Sequence, residues 1–119
     1  MKKLLVVLIS FVVCCFGVSY ASADDYYARQ ARHYTQEAEY YQKKADGYRR
    51  EAQYYTRKAE SYQREAAYYT KKGDADRART YTRYAEQEMD KARTQMRYAE
   101  NADSKAADYL RLAAKALSK

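Results

Sequence analysis

Three consecutive stretches, YYARQARHYTQEAE (residues 26–39), YYQKKADGYRREAQ (40–53) and YYTRKAESYQREAA (54–67), are copies of one 14-residue unit, and a partial fourth copy starts at Tyr68. The shared pattern is Tyr-Tyr-x-basic-x-Ala-x-x-Tyr-x-x-Glu-Ala-x, with Arg29, Lys43, Arg57 and Lys71 at the basic position. Fourteen residues are two heptads, and a heptad is visible inside the unit. Tyr27, Tyr34, Tyr41, Tyr48, Tyr55, Tyr62 and Tyr69 lie seven apart, as do Ala31, Ala38, Ala45, Ala52, Ala59 and Ala66. With Ala at position a and Tyr at position d, these residues form one helical stripe of 3.5-residue period, the pattern that drives helices to pack along a seam.

The repeat ends at Lys71-Lys72-Gly73-Asp74-Ala75-Asp76. Lysines close a helix favourably, glycine can take the left-handed cap, and aspartate can cap a following helix, so the spacing predicts a turn at 73–76. Beyond it the alanine heptad resumes at Ala78, Ala85, Ala92, Ala99, Ala106 and Ala113, flanked by Met89, Met96, Leu110 and Leu117. The fold class expected is therefore all-α: a long antiparallel helical hairpin, coiled-coil-like, with a first helix over 24–72 and a second over 77–119. Arms of about 65–70 Å follow from the rise of ~1.5 Å per residue. Folding back at the turn sets Tyr69, Tyr62, Tyr55 and Tyr48 opposite Ala78, Ala85, Ala92 and Ala99, large against small. Gly47 and Asn101-Ala102-Asp103-Ser104 are the places where a helix could break. Alanine layers bury little apolar area, so assembly of hairpins into a helical bundle or longer coiled coil is also expected.

The first 23 residues read differently. A basic start at Lys2-Lys3, an apolar run from Leu4 to Val18, and the small-x-small ending Ala21-Ser22-Ala23 make a secretory signal peptide cleaved after Ala23. The apolar run is shorter than the ~20 residues of a comfortable membrane span, so no stable membrane insertion is expected after cleavage. The segment contains both cysteines of the chain, Cys14 and Cys15, which leaves the exported part without thiols for disulfides or metals. It also contains two of the 23 basic residues and none of the 16 acidic ones, so residues 24–119 carry a formal charge of +5. Every Val, Ile and Phe lies in it as well. Three leucines, two methionines, fifteen tyrosines and many alanines are what remains for a core. So few large aliphatics would ordinarily favour disorder; the absence of proline, the residues of high helix propensity and the strict repeat favour ordered helix.

The functional inventory is sparse. There is one histidine, His33, no glycine-rich phosphate loop, and no Ser, His and acid arranged as a triad, so no enzyme, no cofactor and no metal site are expected. His33 reads as a solvent-facing residue, and Met89 and Met96 as gap-fillers in a seam. The seam tyrosines are accounted for by packing, each ring burying area while its hydroxyl stays hydrated. A second set, Tyr26, Tyr40, Tyr54 and Tyr68, lies beside the seam with Arg29, Lys43 and Arg57 near it, and is the candidate interaction row. Its structural account is a further helix-packing face; its functional account is stacking on sugars, bases or aromatic ligands with cation–π support. A relay of oxidising holes along the tyrosines lacks any cofactor or tuned base. The basic stripe, with acids four residues earlier in Glu39–Lys43, Asp46–Arg50 and Glu60–Arg64, reads as a solvated face held by ion pairs. Acids interleaved among the bases disfavour nucleic acid.

Locally, Tyr68 to Asp74 with Arg77-Ala78 and Tyr81 is similar to the turn of a tetratricopeptide repeat, but the period is 14 rather than about 34 residues and the rest of that pattern is missing. The sequence supports an exported, periplasmic or extracellular, non-enzymatic scaffold that forms a homo-oligomer through the Tyr/Ala seam. The alternative is a binding module whose tyrosine and arginine row takes aromatic, glycan or anionic polymer ligands, its partner being an envelope polymer or another envelope protein.

Overall fold

A computed structural model describes residues 23–119, so the signal-peptide reading of 1–23 lies almost wholly outside the described residues. The chain is an all-α antiparallel helical hairpin of α1 (Ala23–Lys71) and α2 (Ala75–Leu117). Neither Gly47 nor Asn101-Ala102-Asp103-Ser104 ends a helix. Helix continuity at glycine is tolerable here because one glycine in a long stretch of good helix formers costs only about 0.5–1 kcal/mol relative to alanine.

The reversal takes very few residues. Gly73 adopts φ 80°, the left-handed conformation that glycine reaches without steric cost. Its N–H bonds the Thr70 carbonyl at 3.1 Å, and the Asp74 N–H bonds the Tyr69 carbonyl at 2.9 Å, the two bonds of a Schellman cap. Asp74 also opens α2: its Oδ1 accepts from the Arg77 N–H at 3.1 Å and its carbonyl accepts from the Ala78 N–H at 3.1 Å. One residue thus closes one helix and starts the next, and Arg77 lies 3.4 Å from the Asp74 carboxylate.

Contacts between the helices form two units, one of the residues up to Lys44 with Asn101–Lys119, the other of Ala45–Glu100 with the turn. In the first unit Ala31 packs with Ala113 and Ala116, with Tyr34 and Leu117 against them. Next to it, Ala38 packs with Ala106 and Leu110, flanked by Tyr41 and Tyr109. In the second unit Ala45, Ala52, Ala59 and Ala66 of α1 and Ala85, Ala92 and Ala99 of α2 are buried. The alanine heptads are therefore the packed line in both units.

The seam tyrosines pack beside the alanine clusters, as Tyr34 does on Ala31, Ala113 and Ala116, and they also meet tyrosines of α2. Tyr48 and Tyr62 rest on Tyr98 and Tyr84, at 5.5 Å between ring centres in each case, and Tyr69 stacks on Tyr81 at 5.5 Å. Each partner precedes or flanks an alanine of the α2 heptad, Ala99, Ala85 and Ala78 in turn. The reason is spatial: alanine facing alanine lets two backbones approach closely, which leaves no room for a ring between them and moves the tyrosines to the side of the contact.

Thr35, Thr56 and Thr70 of α1 lie on the other side of the alanine line. Their hydroxyls donate to the carbonyl four residues earlier, Ala31, Ala52 and Ala66, at 2.8 Å in each case. The helix itself therefore satisfies a polar group that would otherwise be costly to bury, as it is at Thr35.

Gly47 and Gly73, the two glycines among the described residues, predict opposite responses to alanine. At both, an added Cβ would meet nothing within 4 Å. Gly73→Ala is expected to destabilise by about 1–2 kcal/mol through the left-handed backbone alone, whereas Gly47→Ala is expected to stabilise by about 0.5–1 kcal/mol. Urea titrations followed by helical circular dichroism measure both, and a destabilising Gly47→Ala would contradict this account of α1.

Candidate functional site

The seven seam tyrosines Tyr27, Tyr34, Tyr41, Tyr48, Tyr55, Tyr62 and Tyr69 are all half-buried. The outer four are exposed: Tyr26 53%, Tyr40 52%, Tyr54 54% and Tyr68 49%. Each outer ring stands edge-to-face against its seam neighbour, at 5.3 Å for Tyr26–Tyr27, 5.2 Å for Tyr40–Tyr41, 5.4 Å for Tyr54–Tyr55 and 5.2 Å for Tyr68–Tyr69. This arrangement suits the ring quadrupoles and holds the outer ring in one orientation despite its exposure.

The cations that lie over those rings come from the position after the basic one of the repeat. Arg29, Lys43 and Arg57 are exposed, and Arg29 donates from Nε to the Asp25 carbonyl at 3.4 Å. The ammonium groups over the outer rings are Lys44 on Tyr40 at 5.2 Å, Lys58 on Tyr54 at 5.6 Å and Lys72 on Tyr68 at 4.9 Å. Gln30 occupies that place in the first copy, its Nε2 3.4 Å from the Tyr26 hydroxyl. The signal was present as a Tyr-x-x-x-Lys spacing, the i,i+4 relation that puts two side chains on one helix face.

A second row of cations comes from α2. Lys105 covers Tyr41 at 5.3 Å in the first unit; Lys91 covers Tyr55 at 5.7 Å and Arg77 covers Tyr69 at 5.4 Å in the second. Lys105, Lys91 and Arg77 are themselves 14 apart, so α2 carries the same period as α1, hidden because its positions are not marked by tyrosine pairs. Each Tyr-Tyr step at 40–41, 54–55 and 68–69 is thus flanked by two cations, one from each helix. Exposed cation–π contacts contribute about 0.5–1 kcal/mol each.

Ion pairing differs between the helices. On α2, Arg79 pairs with Asp76 at 3.1 Å, Arg93 with Asp90 at 2.7 Å, and Arg111 with Asp108, all three residues apart. On α1 the expected Glu39–Lys43, Asp46–Arg50 and Glu60–Arg64 pairs do not form; Asp46 binds Arg49 at 2.6 Å instead. Aspartate reaches the nearer i+3 position, and an exposed pair of long side chains gains only about 0.3–0.5 kcal/mol, which does not hold both in place. Among the described residues Lys43, Arg50, Arg57, Arg64 and Lys71 therefore carry charge that no carboxylate of the chain neutralises.

Glu88 departs from the alanine lining. Ala102 and Ala116 occupy the equivalent places 14 and 28 residues on, and all three are buried. The Glu88 side chain is 8% exposed, with Oε1 3.3 Å from Lys91 and 4.0 Å from Lys58, while Oε2 has no hydrogen-bond partner. It ties together the two lysines that cover Tyr54 and Tyr55.

His33 is exposed, its ring 5.8 Å from Tyr34. Met89 is half-buried and Met96 exposed. Among the described residues no three His, Cys, Asp or Glu side chains gather in a way that could hold a metal, and no helix is long and apolar enough to cross a membrane. An open groove beside the turn, lined by Thr70, Ala78, Arg79, Thr82, Arg83 and Glu86, brings no group of catalytic character together. Comparison with protein-family models, curated proteins and solved structures finds no match to this chain.

Glu88→Ala, which restores the residue found at 102 and 116, is expected to stabilise the fold by about 1 kcal/mol, since an unpaired buried carboxylate oxygen is removed and both lysines remain partly solvated. Thermal unfolding measures the sign. A loss of stability would mean that the Lys58–Glu88–Lys91 bridge outweighs the desolvation of Glu88.

Proposed function

We propose that this chain is an exported, non-enzymatic helical scaffold that self-associates through the tyrosine half of its Tyr/Ala seam. The observation that carries the reading is how little the hairpin buries: among the described residues no side chain larger than alanine is fully buried, and every seam tyrosine keeps part of its ring in water. The alanine half of the seam is used up within the chain. The tyrosine half lies open along one side of each unit, where Tyr84 and Tyr98, 42% and 46% exposed, extend it in the second. Exposed aromatics in rows are ordinarily covered by a partner surface, and identical units offering the same row favour a second copy. Export after cleavage at Ala23, to the periplasm or the outside, rests on the signal-like N-terminus.

The outer row supports a second reading, that of an envelope or extracellular module binding aromatic, glycan or anionic polymer ligands. Tyr26, Tyr40, Tyr54 and Tyr68 point away from the alanine line, are held edge-to-face, and in three copies carry an ammonium group. Such a surface suits an anionic polymer better than it suits a like-charged copy.

Light scattering of the purified protein over a concentration series separates these readings. Self-association predicts a helical species of two or more chain masses, which Tyr84→Gln combined with Tyr98→Gln shifts to the monomer with helicity unchanged. A helical monomer at every concentration would remove the scaffold reading and leave the outer row as the working surface.

A further inference from the structure

The outward face of α1 between Arg50 and Lys72 combines four features. Arg50, Arg57, Arg64 and Lys71 are exposed, lie seven residues apart, and have no carboxylate partner among the described residues. Tyr54 and Tyr68 stand on the same face, three residues before Arg57 and Lys71 and four after Arg50 and Arg64, the spacings that make helix neighbours. Both rings are about half exposed and fixed against Tyr55 and Tyr69. Lys58 and Lys72 place an ammonium group over each ring. All of this lies within the second unit and on one continuous helix, apart from Lys72, which directly follows its last residue.

We infer that this face binds a linear acidic polysaccharide, specifically one with a single carboxylate on every second sugar. The inference rests on the binding-module reading and adds the ligand class. Cations seven residues apart on a helix recur at about 10.5 Å, the length of two pyranose rings in an extended chain, and the rotation of about 20° per heptad keeps them on one face over this stretch. A polymer bearing one anion per disaccharide meets one cation per anion along the whole run. Arginine suits this contact because its planar fork accepts a carboxylate on two parallel hydrogen bonds. Tyr54 and Tyr68 supply flat apolar surfaces on which the C–H face of a ring can lie between charged contacts.

The same spacing disfavours the other polyanions. Each strand of a nucleic-acid duplex has a phosphate about every 3.4 Å of rise, and a single strand likewise carries one on every nucleotide, so most of its charges would find no cation here. Its bases need aromatic platforms close together, while Tyr54 and Tyr68 are separated by about 21 Å of helix. Glu51 and Glu65, which alternate with Lys44, Lys58 and Lys72 at seven-residue spacing in the lysine row, add repulsion to a dense anion more than to a sparse one.

The test uses the purified full chain and four defined polymers of similar length: hyaluronan, with one carboxylate per disaccharide; polygalacturonate, with one per ring; dextran, neutral; and poly(dT). Calorimetric titration at moderate salt is expected to show hyaluronan binding at least tenfold tighter than any of the others. Tyr54→Gln with Tyr68→Gln, and separately Arg57→Gln with Arg64→Gln, should each weaken it by tenfold or more. These side chains are exposed, so circular dichroism should show unchanged helix, and Arg83→Gln on α2 should leave binding unaltered. Polygalacturonate or poly(dT) bound as tightly as hyaluronan overturns the spacing argument while leaving a binding module in place. Binding that survives the tyrosine substitutions overturns the role given to the rings. No binding to any charged polymer overturns both the inference and the module reading under it.

Discussion

Everything in this fold depends on alanine meeting alanine. A helix pair that places its smallest side chains at the contact brings the backbones close, and the contact then has a fixed axis about which larger side chains must arrange themselves. Ala31 against Ala113 and Ala116, and Ala38 against Ala106 and Leu110, are this contact in the first unit; the buried alanines at 45, 52, 59 and 66 continue it in the second. An alanine contributes little buried area, so the line gives geometry more than energy. The energy has to come from the tyrosines beside it, which explains why a chain with so few aliphatics is so rich in them.

Displaced from the centre, the tyrosines become a lateral layer whose stability is electrostatic as well as apolar. Stacking of Tyr41 on Tyr109 and of Tyr69 on Tyr81, with interplanar angles of 9° and 6°, excludes water from one ring face, and the cations of α2 take up positions over Tyr41 and Tyr69. A 7-residue repeat alone would allow the helices to slide by a heptad with the alanines still matched. The cations of α2 do not prevent such a slip, because the seam tyrosines they cover also repeat every seven residues. The short capped turn does, and so does the Lys58–Glu88 pair, since Glu51 and Glu65 lie seven residues to either side of Lys58.

The helical hairpin, its alanine line and its turn were legible in the sequence because each follows from local rules: heptad spacing, helix propensity, and the pairing of a left-handed glycine with a capping aspartate. The partners of the tyrosines were not. The contact of Tyr62 with Tyr84, the residue before Ala85, depends on a rotation that only three-dimensional packing decides. Lys44, Lys58 and Lys72 were passed over for Lys43 and Arg57 because the repeat marks the latter as invariantly basic, while contact with the ring depends on the i+4 relation and on ring orientation. The buried position of Glu88 had no local sign, since its equivalents at 102 and 116 are alanines, and a polar side chain at such a place is ordinarily read as solvent-facing.

Charge pairing distinguishes the two helices. On α2 the aspartates sit three residues before arginines and neutralise them, leaving that helix with little net field at those positions. On α1 the basic position of the repeat forms no such pair even where an acid follows three residues on, at Lys43–Asp46 and Arg57–Glu60, and Asp46 turns to Arg49. The repeat therefore preserves unneutralised charge at heptad spacing, at a cost in self-repulsion that a solitary helix gains nothing from. Solubility would be served as well by irregular charge. On the binding reading proposed above, regular spacing of these cations matches a regularly spaced partner, and the exposed tyrosines set between them on the same face suit a partner that offers flat, weakly polar surface as well as charge.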